Sequence, residues 1–543
     1  MKKFSYLVLV LTLLCSVQLS AQKVNEKPKL VVGIIVDQMK QEYLTRFYDG
    51  YGEGGFKRFV EEGFMARNGQ YDYAYTVTGP GHASVYTGTT PAVHGIVNNS
   101  WYSRSLKRSV YCAEDTTVLA VGGSPKSGLI SPINLYSTTI TDELKLYTQR
   151  KGKVIAMSIK DRGAALPGGH LSDGSYWYDS STGEFMTSTY YMKDLPNWVK
   201  SFNAAKNVDK YLNMTWDTFL PIEKYTASGP DDSPYESGFR GKDTPTFPYD
   251  LKTLREDNGN FSMISSTPFG NSILTDLALV ALDAENLGQD NTPDFLAVSY
   301  SSTDYVGHNF GPLSKEVQDT YVRLDRELAR LFKALDQKVG KGNYTVFLSA
   351  DHAVAENSKR MKDDGFKIDN LSRRTTEKEV SDALNAKYGV KDWIESFSSN
   401  IHLNHDLIAA EGVDLYEMQT LVAQKMMEQE GVYMALTAHD LVTNDYTKNI
   451  KNLMQNAFHT KESGDVLVVM DPGWQTGGSK GTSHGNPWTY DTHVPILFYG
   501  WGVKQGSSVR EIHITDIAPS ISMLLNMRLP NGATGTPIPE IFK

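Results

Sequence analysis

The chain is punctuated by short runs in which nearly every position is apolar and many are β-branched: Leu30–Val36, 154–159, 295–300, 344–348, 466–469 and 494–499. A strand that is apolar at successive positions, rather than alternating, buries both faces, which is the pattern of a parallel strand between two layers of helices. Helical periodicity fills the intervals, at 272–287, 314–339 and 516–526 among others. Strands alternating with helices predict an α/β fold, a three-layer α/β/α sandwich on a mostly parallel sheet.

Two stretches break this rhythm. Residues 165–265 are rich in Tyr, Trp, Ser, Gly and Pro, and residues 370–465 are charged, with amphipathic helices of their own such as 415–428. Neither is bounded by a linker, so both are expected to be insertions capping a single domain that spans 22–543.

Composition narrows the setting. The 543 residues carry a dispersed net charge of −9, with no basic stripe of the kind nucleic acids require. Lys2 and Lys3 precede an apolar run over 6–17 and the small-residue site Leu19-Ser20-Ala21, which predicts a secretory signal peptide over 1–21. The run is short for a membrane span, and Cys15 follows Leu13-Leu14 rather than the small residues of a lipoprotein signal. Cleavage would remove two lysines and leave −11. Cys112 is then the one remaining cysteine, so neither an internal disulfide nor a thiolate zinc site can form. A periplasmic or secreted monomer without a membrane anchor is expected.

In open α/β sheets, ligands bind beyond the carboxyl ends of the strands. Here Leu30–Val36 ends in Asp37. The run 295–300 leads through Ser301-Ser302-Thr303 to Asp304, with His308 four residues on, on the same face of a helical turn. The run 344–348 leads to Asp351-His352, and 154–159 ends in Lys160-Asp161-Arg162. Singly, each acid reads as a turn former or cap, and Lys160 and Arg162 as solvated cations. His405-Asp406 and His439-Asp440 are read as surface pairs. Four strands delivering acids, imidazoles and cations to one edge make a metal site the simpler explanation. Carboxylate and imidazole donors suit zinc, and Asp37, Asp304, His308, Asp351, His352 and one further histidine suffice for two Zn2+. His484, in the loop Gly481-Thr482-Ser483-His484-Gly485, can approach closely because of its glycines. His493 opens an apolar strand, where a structural hydrogen bond is expected, so His484 is chosen.

With Val36-Asp37-Gln38-Met39, Tyr51-Gly52-Glu53-Gly54-Gly55-Phe56, His94-Gly95-Ile96, Ser349-Ala350-Asp351-His352 and the segment from Ser302 to Pro312, the chain resembles the alkaline phosphatase superfamily over nearly its whole length. More specifically, it resembles the bacterial phosphate-irrepressible (PafA-type) alkaline phosphatases with a threonine nucleophile. Their Thr-x-Pro-x-His pattern is similar to Thr78-Gly79-Pro80-Gly81-His82, which implies Thr78 as nucleophile, with Thr76 completing a strand and His82 structural. The resemblance further implies one zinc on Asp37, Asp351, His352 and the Thr78 oxygen, and another on Asp304, His308 and His484. Asn99, in Val97-Asn98-Asn99-Ser100-Trp101, resembles the family's phosphoryl-binding asparagine. Pro80 suits the first turn of a helix, so amide N–H groups near Thr78 are expected to face the phosphoryl oxygens. One departure is Ala353, where the family usually has glycine; its methyl is expected to tighten the loop.

Substrate class follows from charge. A phosphate monoester is a dianion whose transition state spreads charge over three oxygens. Lys160 and Arg162, two residues apart, can face one side and neutralise them, and with Asn99 they favour a monoesterase. The alternative is a phosphodiesterase or nucleotide pyrophosphatase of the same superfamily, which would share Thr78 and the metal ligands but lack the cation pair. A sulfatase needs a Cys- or Ser-derived nucleophile before Pro and Arg, and Cys112 is followed by Ala113-Glu114-Asp115. A binding protein on a dead phosphatase fold would not need the full ligand set.

Overall fold

A computed structural model describes residues 27–543; the expected signal peptide lies outside the described residues. Ten strands make the central sheet. In chain order they are β1 (Leu30–Val36), β2 (Phe64–Gln70), β3 (Ala120–Val121), β4 (Val154–Ser158), β5 (Gly174–Asp179), β6 (Glu184–Ser188), β7 (Asp294–Tyr300), β8 (Tyr344–Ser349), β9 (Ile496–Gly500) and β10 (Gly506–His513). Their spatial order is β10-β2-β9-β8-β1-β7-β4-β5-β6-β3. The middle, β8-β1-β7-β4-β5, is parallel throughout, and helices cover both faces. Every residue of β1, β4, β7 and β8 is buried, as the unbroken apolar runs required.

Two of the six runs take a different place. The segment 494–499 forms β9, antiparallel between β8 and β2. The run 466–469 forms Val466–Met470, outside the central sheet, in a four-stranded antiparallel sheet ordered Ile394–Ser396, Asn400–Leu403, Val466–Met470, Val432–Thr437. An apolar run reports two buried faces and carries no information about direction or partner. This second sheet shares a core of its own with helices of the 370–465 stretch, built on Val380, Leu384, Trp393, Ile401, Met418 and Val422. The 165–265 stretch is divided: β5 and β6 continue the central sheet, with Tyr176 and Trp177 fully buried in it. Only the residues after β6 lie apart from it.

Five helices matter for the site: α1 (Thr78–Thr87), α2 (Asp161–Gly168), α3 (Phe269–Ala284), α4 (Ser302–Phe310) and α5 (Lys315–Leu335). The pair α1 and α2 pack on each other, as do α3 and α5.

Candidate active site

The parallel strands end level with one another: Val36 lies opposite Tyr300, Ile35 opposite Ser349, and Ser299 opposite Ser158. Sheet order therefore becomes site order. Asp351 and His352 follow β8, Asp37 follows β1, Asp304 and His308 lie on α4 after β7, and Lys160 and Arg162 follow β4. Asp37 stands between the other two acids because β1 stands between β8 and β7. The donor atoms fall into two groups, each within 4.8 Å: Asp37, Asp351 and His352, and Asp304, His352 and His484. The second grouping has His352 where His308 was expected; His308 Nε2 is 3.1 Å from Asp304 Oδ1 at its edge.

The three histidines are presented alike. His308 Nδ1 meets the Thr482 carbonyl at 2.8 Å, His484 Nδ1 the Thr76 carbonyl at 2.8 Å, and His352 Nδ1 the Ala353 carbonyl at 2.9 Å. Each Nδ1–H donates to a backbone oxygen, which turns each Nε2 toward the acids, the usual arrangement of metal-ligating histidine. Asp37 Oδ1, Asp351 Oδ2 and His352 Nε2 are buried with no hydrogen-bond partner. Buried carboxylates without partners are costly unless a cation sits among them. The residues present thus fit a pair of divalent ions.

Electrostatics point the same way. Burial, then the charge of Asp37, pushes Asp351 well above the ordinary carboxylate range. Burial acts on Asp304 too, but His308 and Lys160 beside it hold it well below that range. Burial would lower His308, yet Asp304 raises it to about 9. Burial takes His352 down to about 3. These acids repel one another and are held together by the cations at hand.

Thr78 is the first residue of α1, fully buried. Lys160 Nζ lies 3.5 Å from its Oγ1 and Arg162 Nη2 lies 3.4 Å away. Lys160 also bridges the donor groups, 2.7 Å from Asp37 Oδ2 and 2.6 Å from Asp304 Oδ2. Arg162 donates to the Tyr111 hydroxyl at 3.1 Å, and that hydroxyl donates in turn to Asp161. Asn99 Oδ1 accepts from Gly79 N at 2.7 Å, which turns its amide Nδ2 away from that contact. Two of the expected amides are spent, Gly79 on Asn99 and Gly81 on the Val77 carbonyl, and Pro80 has none. Side chains therefore take a larger share of anion binding at this helix start than expected.

His82 Nδ1 meets the Thr78 carbonyl at 2.9 Å and its Nε2 meets Ser299 Oγ at 2.7 Å, which pins the first turn of α1 to β7. Thr76 lies in the loop before α1 rather than in a strand. Its hydroxyl donates to the Asn486 carbonyl at 3.1 Å, and its own carbonyl holds His484. His493 Nε2 meets the Arg67 carbonyl at 3.0 Å. Ala353 is buried, outside the left-handed region, and its N–H donates to the Asp491 carbonyl, so its methyl is accommodated. Gln38 was not anticipated. Its backbone N–H donates to Asp351 Oδ1 at 3.1 Å and its side chain to Asp304 Oδ1 at 2.6 Å, tying two acids from different strands. The only hint in the sequence was its position directly after Asp37.

Residues 31–494 match the family model described as type I phosphodiesterase / nucleotide pyrophosphatase. Alkaline phosphatase PhoV of Synechococcus elongatus is 44% identical, covering 95% of this chain and 93% of that protein. Alkaline phosphatase PafA of Elizabethkingia meningoseptica is 43% identical over 98% of both. A Myroides odoratus protein named a calcium-transporting ATPase is 44% identical over 98% of this chain and 99% of its own. Among the described residues no helix is long and apolar enough to cross a membrane. The crystal structure of wild-type alkaline phosphatase PafA superposes with a TM-score of 0.92 at 42% identity, covering 95% of this chain and 99% of that one. The chain belongs to the type I phosphodiesterase / nucleotide pyrophosphatase family, within the alkaline phosphatase superfamily. Its full-length relatedness to PhoV and PafA makes it, more narrowly, a phosphoric monoester hydrolase of the alkaline phosphatase type.

Proposed function

We propose that this protein is an exported, two-zinc alkaline phosphatase that hydrolyses phosphate monoesters through a phospho-threonine on Thr78. The observation that carries this reading is the convergence of Lys160 and Arg162 on Thr78 Oγ1, at 3.5 and 3.4 Å. Two cations at the nucleophile neutralise the three oxygens of a dianionic phosphoryl group. A solved variant of alkaline phosphatase PafA replaces a threonine, an asparagine, a lysine and an arginine, the residue types of the quartet Thr78, Asn99, Lys160 and Arg162.

One ion would be held by Asp37, Asp351, His352 and Thr78, the other by Asp304, His308 and His484 on the leaving-group side. Bound there, zinc lowers the pKa of a hydroxyl and offsets charge on a departing oxygen. Thr78 Oγ1 attacks phosphorus in line, the ester oxygen leaves, and the phosphoryl group is transferred to threonine. Water then cleaves the phospho-threonine, which frees inorganic phosphate and restores the hydroxyl. Through both steps Arg162, steadied by Tyr111, and the Asn99 amide orient the non-bridging oxygens, while His82 holds the carbonyl of the nucleophile. Export rests on the signal peptide expected over 1–21, with residues 22–543 as one catalytic unit.

The matching family model favours a second reading, a diesterase. Turnover of p-nitrophenyl phosphate against bis-p-nitrophenyl phosphate separates the two, and faster turnover of the diester would sink the monoesterase reading. Thr78→Ala is expected to lower kcat by at least about a thousandfold with phosphate binding retained. Lys160→Ala is expected to cost monoester turnover about tenfold more than diester turnover.

A further inference from the structure

A cleft of about 230 Å³ adjoins the site. It shares His484 with the metal-donor group and includes the immediate neighbours of two site residues, Val77 beside Thr78 and Asn98 beside Asn99. In the reading above His484 holds the ion on the leaving-group side, which would turn whatever is esterified to the phosphate toward this cleft. The far walls come from Phe397 and Met426 of the 370–465 stretch and from Val468 and Met470 of the strand that follows it. All four are buried apolar side chains, and with Tyr75 and Val77 they form the apolar side of a cleft whose other side carries Asn98, Gln475, Thr476 and Asn486.

The cleft is preformed. The Tyr75 hydroxyl donates to the Ser399 carbonyl at 2.8 Å and accepts from Val468 N at 3.0 Å. This staple joins the loop before the nucleophile to the strand Val466–Met470 of the second sheet and to the turn that precedes Asn400–Leu403. At the rim is Arg373, exposed and with no ion-pair partner among the described residues. Its guanidinium is free to lie over an aromatic face.

We propose that this cleft is the subsite for the ester group and selects phosphomonoesters carrying a flat aromatic group. The inference rests on the monoesterase reading above. The apolar side rewards an aromatic ester group by its buried area, a gain that a polyhydroxylated group would leave unused against Phe397, Met426, Val468 and Met470. The volume is below the ~300 Å³ at which drug-sized ligand pockets begin, so one or two rings fill it.

The test compares kcat/KM for 1-naphthyl phosphate and methyl phosphate in the zinc-loaded full chain. Taking the ratio within each variant, then against wild type, cancels the intrinsic reactivity of the two esters. Ser399→Phe, which fills the cleft, is expected to lower the naphthyl-to-methyl ratio at least tenfold. Arg373→Ala, at an exposed position that keeps the test open if Ser399→Phe does not fold, is expected to lower it about threefold. A ratio within twofold of wild type in either folded variant overturns the assignment, as does a wild-type preference for a sugar phosphate over the naphthyl ester. A wild-type protein that hydrolyses neither ester removes the phosphatase reading and this one together. Hydrolysis of both esters with unmoved ratios removes this one alone.

Discussion

At the scale of single residues, Gly79-Pro80-Gly81 shows why a short motif has no slack. A Cβ on Gly81 would lie 2.2 Å from the Asp351 carbonyl oxygen, and one on Gly79 would press on Cys112 Sγ at 3.0 Å and Asn99 Oδ1 at 3.1 Å. Both glycines let α1 approach groups that the site needs in place. Gly81→Ala must displace either α1 or the backbone of a proposed ligand, an overpacking cost of about 1–3 kcal/mol. The expected result is a melting temperature lower by several degrees and activity reduced more than tenfold, read by thermal denaturation and p-nitrophenyl phosphate turnover. Wild-type values of both would show that the loop has room. Thr78 could be singled out in the sequence because the family pattern it resembles, with Pro80 and His82, is local. Gln38 and Tyr111 were not, because their roles are contacts across 266 positions to Asp304 and 51 positions to Arg162, and no spacing along the chain encodes such a contact.

At the scale of elements, four strand ends were readable as a site before their order in the sheet was known. Apolar runs located β1, β4, β7 and β8, and the polar residue just past each run did the rest. Direction and partner were not readable, which is why Val466–Met470 and β9 were expected among parallel strands, and why β5 and β6 were counted with an insertion. The second sheet has its own polar anchor. Asp465, directly before Val466–Met470, accepts from His405 Nε2 at 2.7 Å, Gln419 Nε2 at 2.9 Å, Leu403 N at 2.8 Å and Arg104 Nη2 at 3.0 Å. Burial opposes its ionisation, but these donors, His405 first, bring its carboxyl down to about 2. A depressed carboxyl adds stability that is complete above the unfolded value of ~4 and is lost as pH falls through the folded one. Asp465→Asn is therefore expected to cost about 2 kcal/mol at neutral pH, with the gap to wild type closing between pH ~4 and about 2. Urea melts at several pH values check this, and a gap independent of pH would discard it.

At the scale of the molecule, the unpartnered oxygens of Asp37 and Asp351 make stability depend on what sits between them. Ions that bind only the folded state stabilise it in proportion to the logarithm of their concentration over Kd. A chelator is expected to abolish phosphatase activity and to lower the melting temperature, and added zinc is expected to restore both. Loss of activity with an unchanged melting temperature would mean that the acids are not in contact with the ion.

The sheet order has a further consequence for biogenesis. The donors Asp37, Asp304, Asp351 and His484 are strung along almost the entire chain, and they meet only when non-sequential strands have aligned. A chain emerging from its N-terminus carries isolated acids for most of its synthesis, and none of these can chelate tightly alone. Tight ion capture at the proposed sites would thus come late and would report on topology: only a molecule with β8, β1 and β7 in register, and its C-terminal quarter docked, brings these donors together.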